Sequence, residues 1–278
     1  MHMGKENPID KGPILVTGAS SGIGESTAKY LAKNGYPVYA GVRKQIDYSR
    51  LEKYENIFPV ILDVTSDEDI DNAVKIVCEK GLGLSGLVNN AGIAVAGPLM
   101  DVDPSEFSKQ FEVNVIGLHK ITKAFFPMIV KSKGRIIMIS SDSGFFATPF
   151  FGPYCSSKFA VEGYADSLRR ELLMTDVKVV IIQPGRITTK IWEKGERFLD
   201  MYQNSMFAEK AKEVGEYAIR KGKTDGLDPV EVAILIKNIL EDSDPKTRYL
   251  IAPSTFKYRL IKMLPDKMVD KMVKKELE

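Results

Sequence analysis

Seven short apolar runs recur along the chain, and none of them alternates apolar with polar residues. They are PILVTG (13–18), YPVYAGV (36–42), IFPVILDV (57–64), SGLVNNAG (85–92), GRIIMISS (134–141), VKVVIIQPG (177–185) and TRYLIA (247–252). A strand with one wet face alternates, whereas a strand covered on both faces does not. Longer amphipathic stretches separate the runs: 23–35, 66–81, one near 104–131, one opening near Tyr154 and one near 229–241. Gly35 ends the first of these. Ser66, followed by acidic residues, opens the second as an N-cap. Strand–helix alternation of this kind predicts an α/β fold, a doubly wound parallel sheet of about seven strands with helices on both faces. No linker rich in Pro, Gly or Ser divides the 278 residues, which suit one large domain.

In open sheets of this type ligands bind beyond the carboxyl ends of the strands. Those ends carry Gly18, Val42 with Arg43, Asp63, Asn89, Ser141 and Pro184. The first is the most informative. TGASSGIG (17–24) joins a strand to a helix and spaces Gly18, Gly22 and Gly24 as G-x-x-x-G-x-G. Glycines there let the backbone turn sharply and approach a ligand. The helix behind offers free N–H groups and positive partial charge to a pyrophosphate. The spacing differs from G-x-G-x-x-G, and no G-K-[ST] follows, so it is not a P-loop. A glycine-rich turn without ligand is the competing reading of this stretch alone.

The helix YCSSKFAVEGYADSLRREL begins at Tyr154 and places Lys158 four residues on. One helical turn separates them, so phenol and ammonium share a face. A free tyrosine has a pKa of about 10, which makes it a weak acid and a poor base at neutral pH. A nearby cation stabilises the phenolate and is expected to lower that pKa. A phenol tuned in this way exchanges a proton with an oxygen at neutral pH, as hydride transfer to a carbonyl requires. Ser141, at the end of the fifth run, is positioned to donate a second hydrogen bond to the same oxygen.

The remaining composition narrows the function classes. A net charge of +2 predicts no nucleic-acid surface. Cys78 and Cys155 form neither a metal spacing nor a disulfide framework, which fits a reducing, cytoplasmic setting and no metal. No uninterrupted apolar run reaches the ~18–20 residues of a membrane span. The opening MHMGKENPIDKG lacks the apolar stretch of a signal peptide. MHM reads as a cloning scar, leaving His119 as the native histidine and arguing against histidine-dependent chemistry.

Taken together, TGxxxGxG at 17–24, NNAG at 89–92, NVIG at 114–117, Ser141, Tyr-x-x-x-Lys at 154–158 and PGRITT at 184–189 resemble the short-chain dehydrogenase/reductase family. The resemblance covers residues 12–252 and implies a Rossmann-like fold. Within the family the pattern is similar to the branch of 17β-hydroxysteroid and retinol dehydrogenases. It implies that Tyr154 is the general acid/base and that Ser141 orients the substrate oxygen. Lys158 would bind the cofactor ribose and lower the phenol's pKa, and Asn114 would hold a water in the proton relay. It implies cofactor contacts at Gly18, Ser20, Ser21, Gly22, Ile23, Gly24, Arg43, Asp63, Val64, Asn90, Ala91, Gly92, Tyr154, Lys158, Pro184, Gly185, Ile187 and Thr189, with Thr188 an alternative to Thr189.

Val42 stands where the family's NAD-binding members carry an acidic residue, and Arg43 follows. A guanidinium there can hold a 2′-phosphate, so NADP is expected in preference to NAD. Phe145, Phe146, Phe150 and Phe151 flank the expected reacting carbon and suit a lipophilic carbonyl compound or alcohol; aromatic core or interface packing is the competing reading. Residues 190–227 form a long segment after the sixth run and are expected to act as a substrate lid. Residues 253–278 form a basic amphipathic extension, expected to pack on its own subunit or a partner in preference to a membrane surface. The family pattern implies a homodimer or homotetramer built on the helices beginning near Pro104 and Tyr154. The expected activity is NADP(H)-dependent interconversion of carbonyl and alcohol. The alternatives are a dinucleotide-sensing binder with little turnover and a serine hydrolase, the latter opposed by the absence of G-x-S-x-G.

Overall fold

The computed structural model describes residues 11–81 and 83–278; the MHM segment and His2 lie outside them. Seven parallel strands form one sheet: β1 (Ile14–Val16), β2 (Val38–Val42), β3 (Ile57–Ile61), β4 (Gly86–Asn89), β5 (Arg135–Ile139), β6 (Lys178–Pro184) and β7 (Arg248–Ile251). Their order is β3-β2-β1-β4-β5-β6-β7. β1 therefore pairs on one edge with β2 (Ile14 against Val38) and on the other with β4 (Ile14 against Gly86). The winding reverses between β1 and β4, which is where a crevice opens in such a sheet. The strands are shorter than the apolar runs that predicted them. The residues left over at the carboxyl ends form loops, where ligands bind in sheets of this type.

Successive strand residues feed two separate apolar layers, which explains why the runs never alternate. Ile14, Val16, Val38, Val88, Ile137, Val180 and Ile182 pack with α1 (Gly22–Lys33) and α9 (Pro229–Glu241) through Leu31, Val232 and Ile236. Leu15, Tyr39, Leu87, Ile136, Met138 and Ile181 point the other way. They meet α3 (Asp67–Glu79), α5 (Leu118–Lys131) and α6 (Gly152–Glu171) through Val77, Ile121, Phe125 and Val161. Each such fully buried aliphatic side chain contributes roughly 1.5–3 kcal/mol.

Helix starts follow local chemistry. Ser66 accepts from the Asp69 N–H at 3.2 Å to cap α3. Asp228 caps α9 through the Val230 N–H at 2.8 Å, with Pro229 following. Asp103 does the same for α4 (Pro104–Phe111) through Ser105. The helix expected near 104–131 is one rod in three parts: α4, a π turn at Glu112–Gly117, and α5. That rod is long and apolar enough to cross a membrane by length and composition, yet it packs Leu118, Ile121, Phe125 and Ile129 into the core. Gly117 is required where the rod meets the third strand end. A Cβ there would lie 2.9 Å from the Val64 carbonyl oxygen and closer still to the Val64 side chain.

α2 (Gln45–Leu51) was not foreseen, because it is short and only Leu51 among its residues is buried. After β6 the chain forms α7 (Ile191–Gly195) and α8 (Ala208–Thr224). α10 (Thr255–Ile261) and α11 (Asp266–Leu277) follow β7. α10 folds back over the β5–α6 loop: Tyr258 meets Phe145 edge to face at 6.4 Å. α11 buries none of its residues.

Candidate active site

The glycine loop divides its labour. Gly18 and Gly22 adopt φ of +64° and +57°, a region that strains other residues. A Cβ on Gly24 would sit 2.4 Å from the Gly18 carbonyl oxygen, and one on Gly18 would sit 2.9 Å from the Ala91 Cα. These two glycines thus let the loop close on the segment after β4. That segment is held in return: Asn90 Nδ2 donates to the Thr17 carbonyl at 2.9 Å, and the Asn90 and Ala91 N–H groups donate to Thr17 Oγ1 at 3.0 Å each. Gly22 instead faces Thr189, whose Cβ lies 3.1 Å from the added carbon. Ser21 precedes the first turn of α1 without capping it through its side chain, leaving helix N–H groups for an anion. This cradle fits a pyrophosphate. Thr188, by contrast, is exposed and its N–H donates to the Leu227 carbonyl at 2.9 Å. Of the two threonines, Thr189 is the one whose side chain faces Gly22. Ile187 is buried beside Leu227, and the Gly185 N–H donates to Ile251 O at 2.9 Å.

One brace was missed by sequence reasoning. Arg50 of α2 donates to the Ser20 carbonyl at 2.8 Å, and its guanidinium also pairs with Asp47 at 3.1 Å and with Glu25. It thereby ties the glycine loop to two acidic side chains. Periodicity could not find it, because Glu25 and Ser20 sit on another helix and a loop.

At the second strand end Val42 is buried and offers no carboxylate. Arg43 is 62% exposed, with Nη1 3.7 Å from Asp63 Oδ2. Asp63 Oδ1 accepts from the Thr65 N–H at 2.9 Å and from Thr65 Oγ1 at 2.7 Å. An exposed pair of this length is worth about 0–1 kcal/mol, so a phosphate dianion can capture the guanidinium. Val64 packs under Gly117, and Gly92 approaches Asn114.

Beyond β5, Ser141 opens a single turn at Asp142–Gly144 and faces the Tyr154 phenol. Tyr154 stands in the first turn of α6, with Lys158 Nζ 5.7 Å from its ring centroid. Lys158 is buried, and its ammonium donates to the Ile139 carbonyl at 2.8 Å. The electrostatics differ from the expectation for this pair. Burial pushes the phenol's pKa well above the tyrosine range, the Ser141 hydrogen bond opposes this only in part, and the Asp142 carboxylate adds to the rise. Burial also lowers Lys158 to about 8. Desolvation is the largest cause of the phenol's shift and favours its neutral form.

Asn114 lies in the π turn, a helix irregularity frequent at functional sites. Its amide is fully engaged: Oδ1 accepts from the Ile93 N–H at 2.9 Å, and Nδ2 donates to Ile93 O at 3.1 Å and Ser157 Oγ at 3.1 Å. Ser157 Oγ in turn donates to the Tyr154 carbonyl at 2.7 Å. Gln110, fully buried, accepts from Val95 N–H at 2.7 Å and donates to Ile93 O at 2.9 Å. Gln110 and Ser157, neither of them flagged by sequence motifs, thus fix the turn that carries the phenol.

Apolar side chains gather around the loop that precedes α6. Phe150, with φ of +66°, accepts from the Gly97 N–H at 2.7 Å, and its ring lies 6.3 Å from Phe207. Val95, Val102 and Phe198 form a separate small cluster with Tyr202 packed against it. Trp192 donates through Nε1 to Ile187 O at 2.7 Å and packs over Gly222. Among the described residues no cluster of His, Cys, Asp or Glu could hold a metal ion.

A dinucleotide cradle at the sheet's switch point, with a phenol, a hydroxyl and an ammonium beyond the next strand, defines a nicotinamide-dependent oxidoreductase. The family model described as short chain dehydrogenase matches residues 13–199. An NADPH-dependent 3-dehydrocapnine reductase from Ornithobacterium rhinotracheale is 39% identical over 95% of this chain and 96% of its own length. A 3-amino-tetrahydro-pyrrolizinone reductase from Xenorhabdus hominickii is 37% identical over 86% of both. A crystal structure of a short-chain dehydrogenase from Streptomyces avermitilis superposes with a TM-score of 0.79 at 24% identity, covering 97% of both chains. The chain belongs to the short-chain dehydrogenase family.

Proposed function

We propose that the protein reduces the carbonyl group of a lipophilic substrate with NADPH. The observation that carries this reading is the Ser141–Tyr154–Lys158 group beyond β5, with its phenol held protonated. A neutral phenol is the form that gives up a proton, as reduction of a carbonyl requires. When bound, the reduced nicotinamide supplies the hydride to the carbonyl carbon. Tyr154 gives its hydroxyl proton to the carbonyl oxygen, and Ser141 Oγ hydrogen-bonds that oxygen as negative charge builds on it. The Lys158 ammonium, lowered to about 8 by burial, would stabilise the phenolate, which regains its proton from solvent water.

NADP is favoured over NAD by the exposed Arg43 and by the absence of a carboxylate at Val42. That the relative at 39% identity is named as NADPH-dependent supports the same choice. The lipophilic character rests on Phe150, Phe198, Tyr202 and Phe207, with residues 190–227 as the lid. We further propose a homodimer or homotetramer through the outer faces of α4–α5 and α6, where Ile116 and Phe159 are 42% and 46% exposed. Purified protein with NADPH, assayed against steroid, retinoid and aliphatic carbonyl compounds, tests the reading. NADPH oxidation with at least one apolar carbonyl is expected; indifference to all of them, with NADPH still bound, would indicate a dinucleotide-sensing binder.

A further inference from the structure

α6 carries a third charged or titratable side chain on the face that holds the phenol and the ammonium. Tyr154, Lys158 and Glu162 follow at four-residue steps, so they line one stripe of the helix. The Glu162 side chain is 12% exposed, and its carboxylate is the charge that reaches Lys158. Neighbouring strands hold it in place. Gln183 Nε2 of β6 donates to its Oε1 at 3.0 Å, and Arg248 Nε of β7 donates to its Oε2 at 2.9 Å. Lys262 Nζ, just past α10, donates to Gln183 Oε1 at 3.2 Å and so fixes which way that amide points. Arg248 also pairs at 2.8 Å with Asp166, one turn further along α6, so Glu162 receives only part of a guanidinium. The turn after β5 packs on the same carboxylate: a Cβ on Gly144 would lie 3.2 Å from Glu162 Oε1.

We infer that Glu162 is a positioning residue for the reduction, whose carboxylate keeps the Lys158 ammonium charged while the phenol reacts. Tyr154 and Glu162 stand about two helical turns apart, so the carboxylate acts through Lys158 and not on the substrate. Burial pulls the Lys158 ammonium down to about 8, and the Glu162 charge opposes that pull. A buried ammonium stripped of its counter-charge gives up its proton more readily. The other ionisable groups nearby do different work. Asp142, on the turn after β5, and Cys155 of α6 act on Tyr154. Tyr258 of α10 and Arg186, just past β6, act on Asp142. Arg248 and Lys262 face Glu162 itself, from β7 and from the end of α10. The charge on Lys158 is thus set by a carboxylate that the last strand and the C-terminal extension hold in place.

This inference deepens the carbonyl reduction proposed above, and its test is a pH series. The pH dependence of kcat/KM for NADPH reports groups of the free enzyme. Removing a negative charge lowers the pKa of a neighbouring ammonium, so in Glu162→Gln the alkaline limb should move down by about one pH unit. The variant should match wild-type at pH 6 and fall about fivefold below it at pH 8. Glu162→Asp keeps the charge and should keep the limb. Arg248→Gln leaves the carboxylate less compensated and should move the limb up, which frees the test from how well Glu162→Gln folds. A Glu162→Gln variant slowed by the same factor at every pH, or a limb that moves equally in Glu162→Asp, shows a packing role only and overturns the inference. A limb that ignores both Glu162→Gln and Arg248→Gln overturns it too. The same limb is read without turnover in NADPH affinity by fluorescence titration, since Lys158 is expected to hold the cofactor ribose. If no carbonyl compound oxidises NADPH, the reduction fails, while the affinity series still decides the role of Glu162.

Discussion

Replacing Arg43 by aspartate reverses the charge at the mouth of the site meant for the cofactor's 2′-phosphate. Two unit charges 4 Å apart interact by about 1 kcal/mol in water and about 4 kcal/mol at an effective dielectric of 20. Arg43 is 62% exposed, so its attraction lies toward the lower end, at about 1–2 kcal/mol. Arg43→Ala should then weaken NADPH about 5- to 30-fold in kcat/KM. Arg43→Asp adds a repulsion of similar size and should bring the loss to about 30- to 1,000-fold. NADH carries no 2′-phosphate and should be unaffected or improved, since loss of the Asp63 pair sacrifices at most about 1 kcal/mol. Steady-state kinetics with both nucleotides, at low and high salt, measure this. The wild-type preference should shrink as salt rises, because a contact this exposed is screened over a Debye length of about 10 Å at 0.1 M. An unchanged NADPH/NADH ratio in Arg43→Asp would refute the assignment and return Arg43 to a solvated loop charge.

Lys158 and Gln110 give two further tests. The Lys158 ammonium is held at about 8 against its ordinary 10.5. A lowered lysine pKa means the folded chain binds the proton less well than the unfolded chain. The penalty is therefore complete below about pH 8 and is relieved as pH rises toward 10.5. The gap is worth about 3 kcal/mol, so Lys158→Met should remove activity yet raise ligand-free stability at pH 7, with the gain shrinking by pH 10; thermal unfolding across that range reads it, and a variant less stable at pH 7 contradicts the burial argument. Gln110→Leu leaves the buried Val95 N–H without its acceptor and takes from the Ile93 carbonyl one of its two donors, Asn114 remaining, and should cost about 1–3 kcal/mol. Denaturant midpoints check this, and kcat should fall as well because the Tyr154 turn loosens.

Much of this molecule could be read before folding. The seven runs became seven strands because both faces of the sheet are buried, so Ile14 and Leu15, adjacent in sequence, serve opposite layers. Strand ends were legible because glycine, asparagine and serine interrupt apolar runs at points where only turns tolerate them. What escaped notice was long-range. Arg50 reaches Ser20 across thirty residues, and Gln110 reaches Ser157 across forty-seven. Tyr258 returns to Asp142 from beyond the last strand. No periodicity encodes such pairings. The spacing of Tyr154 and Lys158 puts the ammonium 5.7 Å from the ring, but spacing carries no information about desolvation, which moves both groups toward their neutral forms. α2 was hidden for a related reason: its largely polar surface leaves little amphipathic signal in seven residues.

The most direct measurement is single-turnover oxidation of bound NADPH by wild-type protein and Tyr154→Phe, with an accepted carbonyl substrate. The phenyl ring keeps the packing and removes only the transferable proton. A proton donor in the transition state contributes about 10²–10⁴-fold, so the rate should drop by that factor while NADPH affinity holds. Oxidation at the wild-type rate in Tyr154→Phe would contradict the claim that this phenol protonates the substrate.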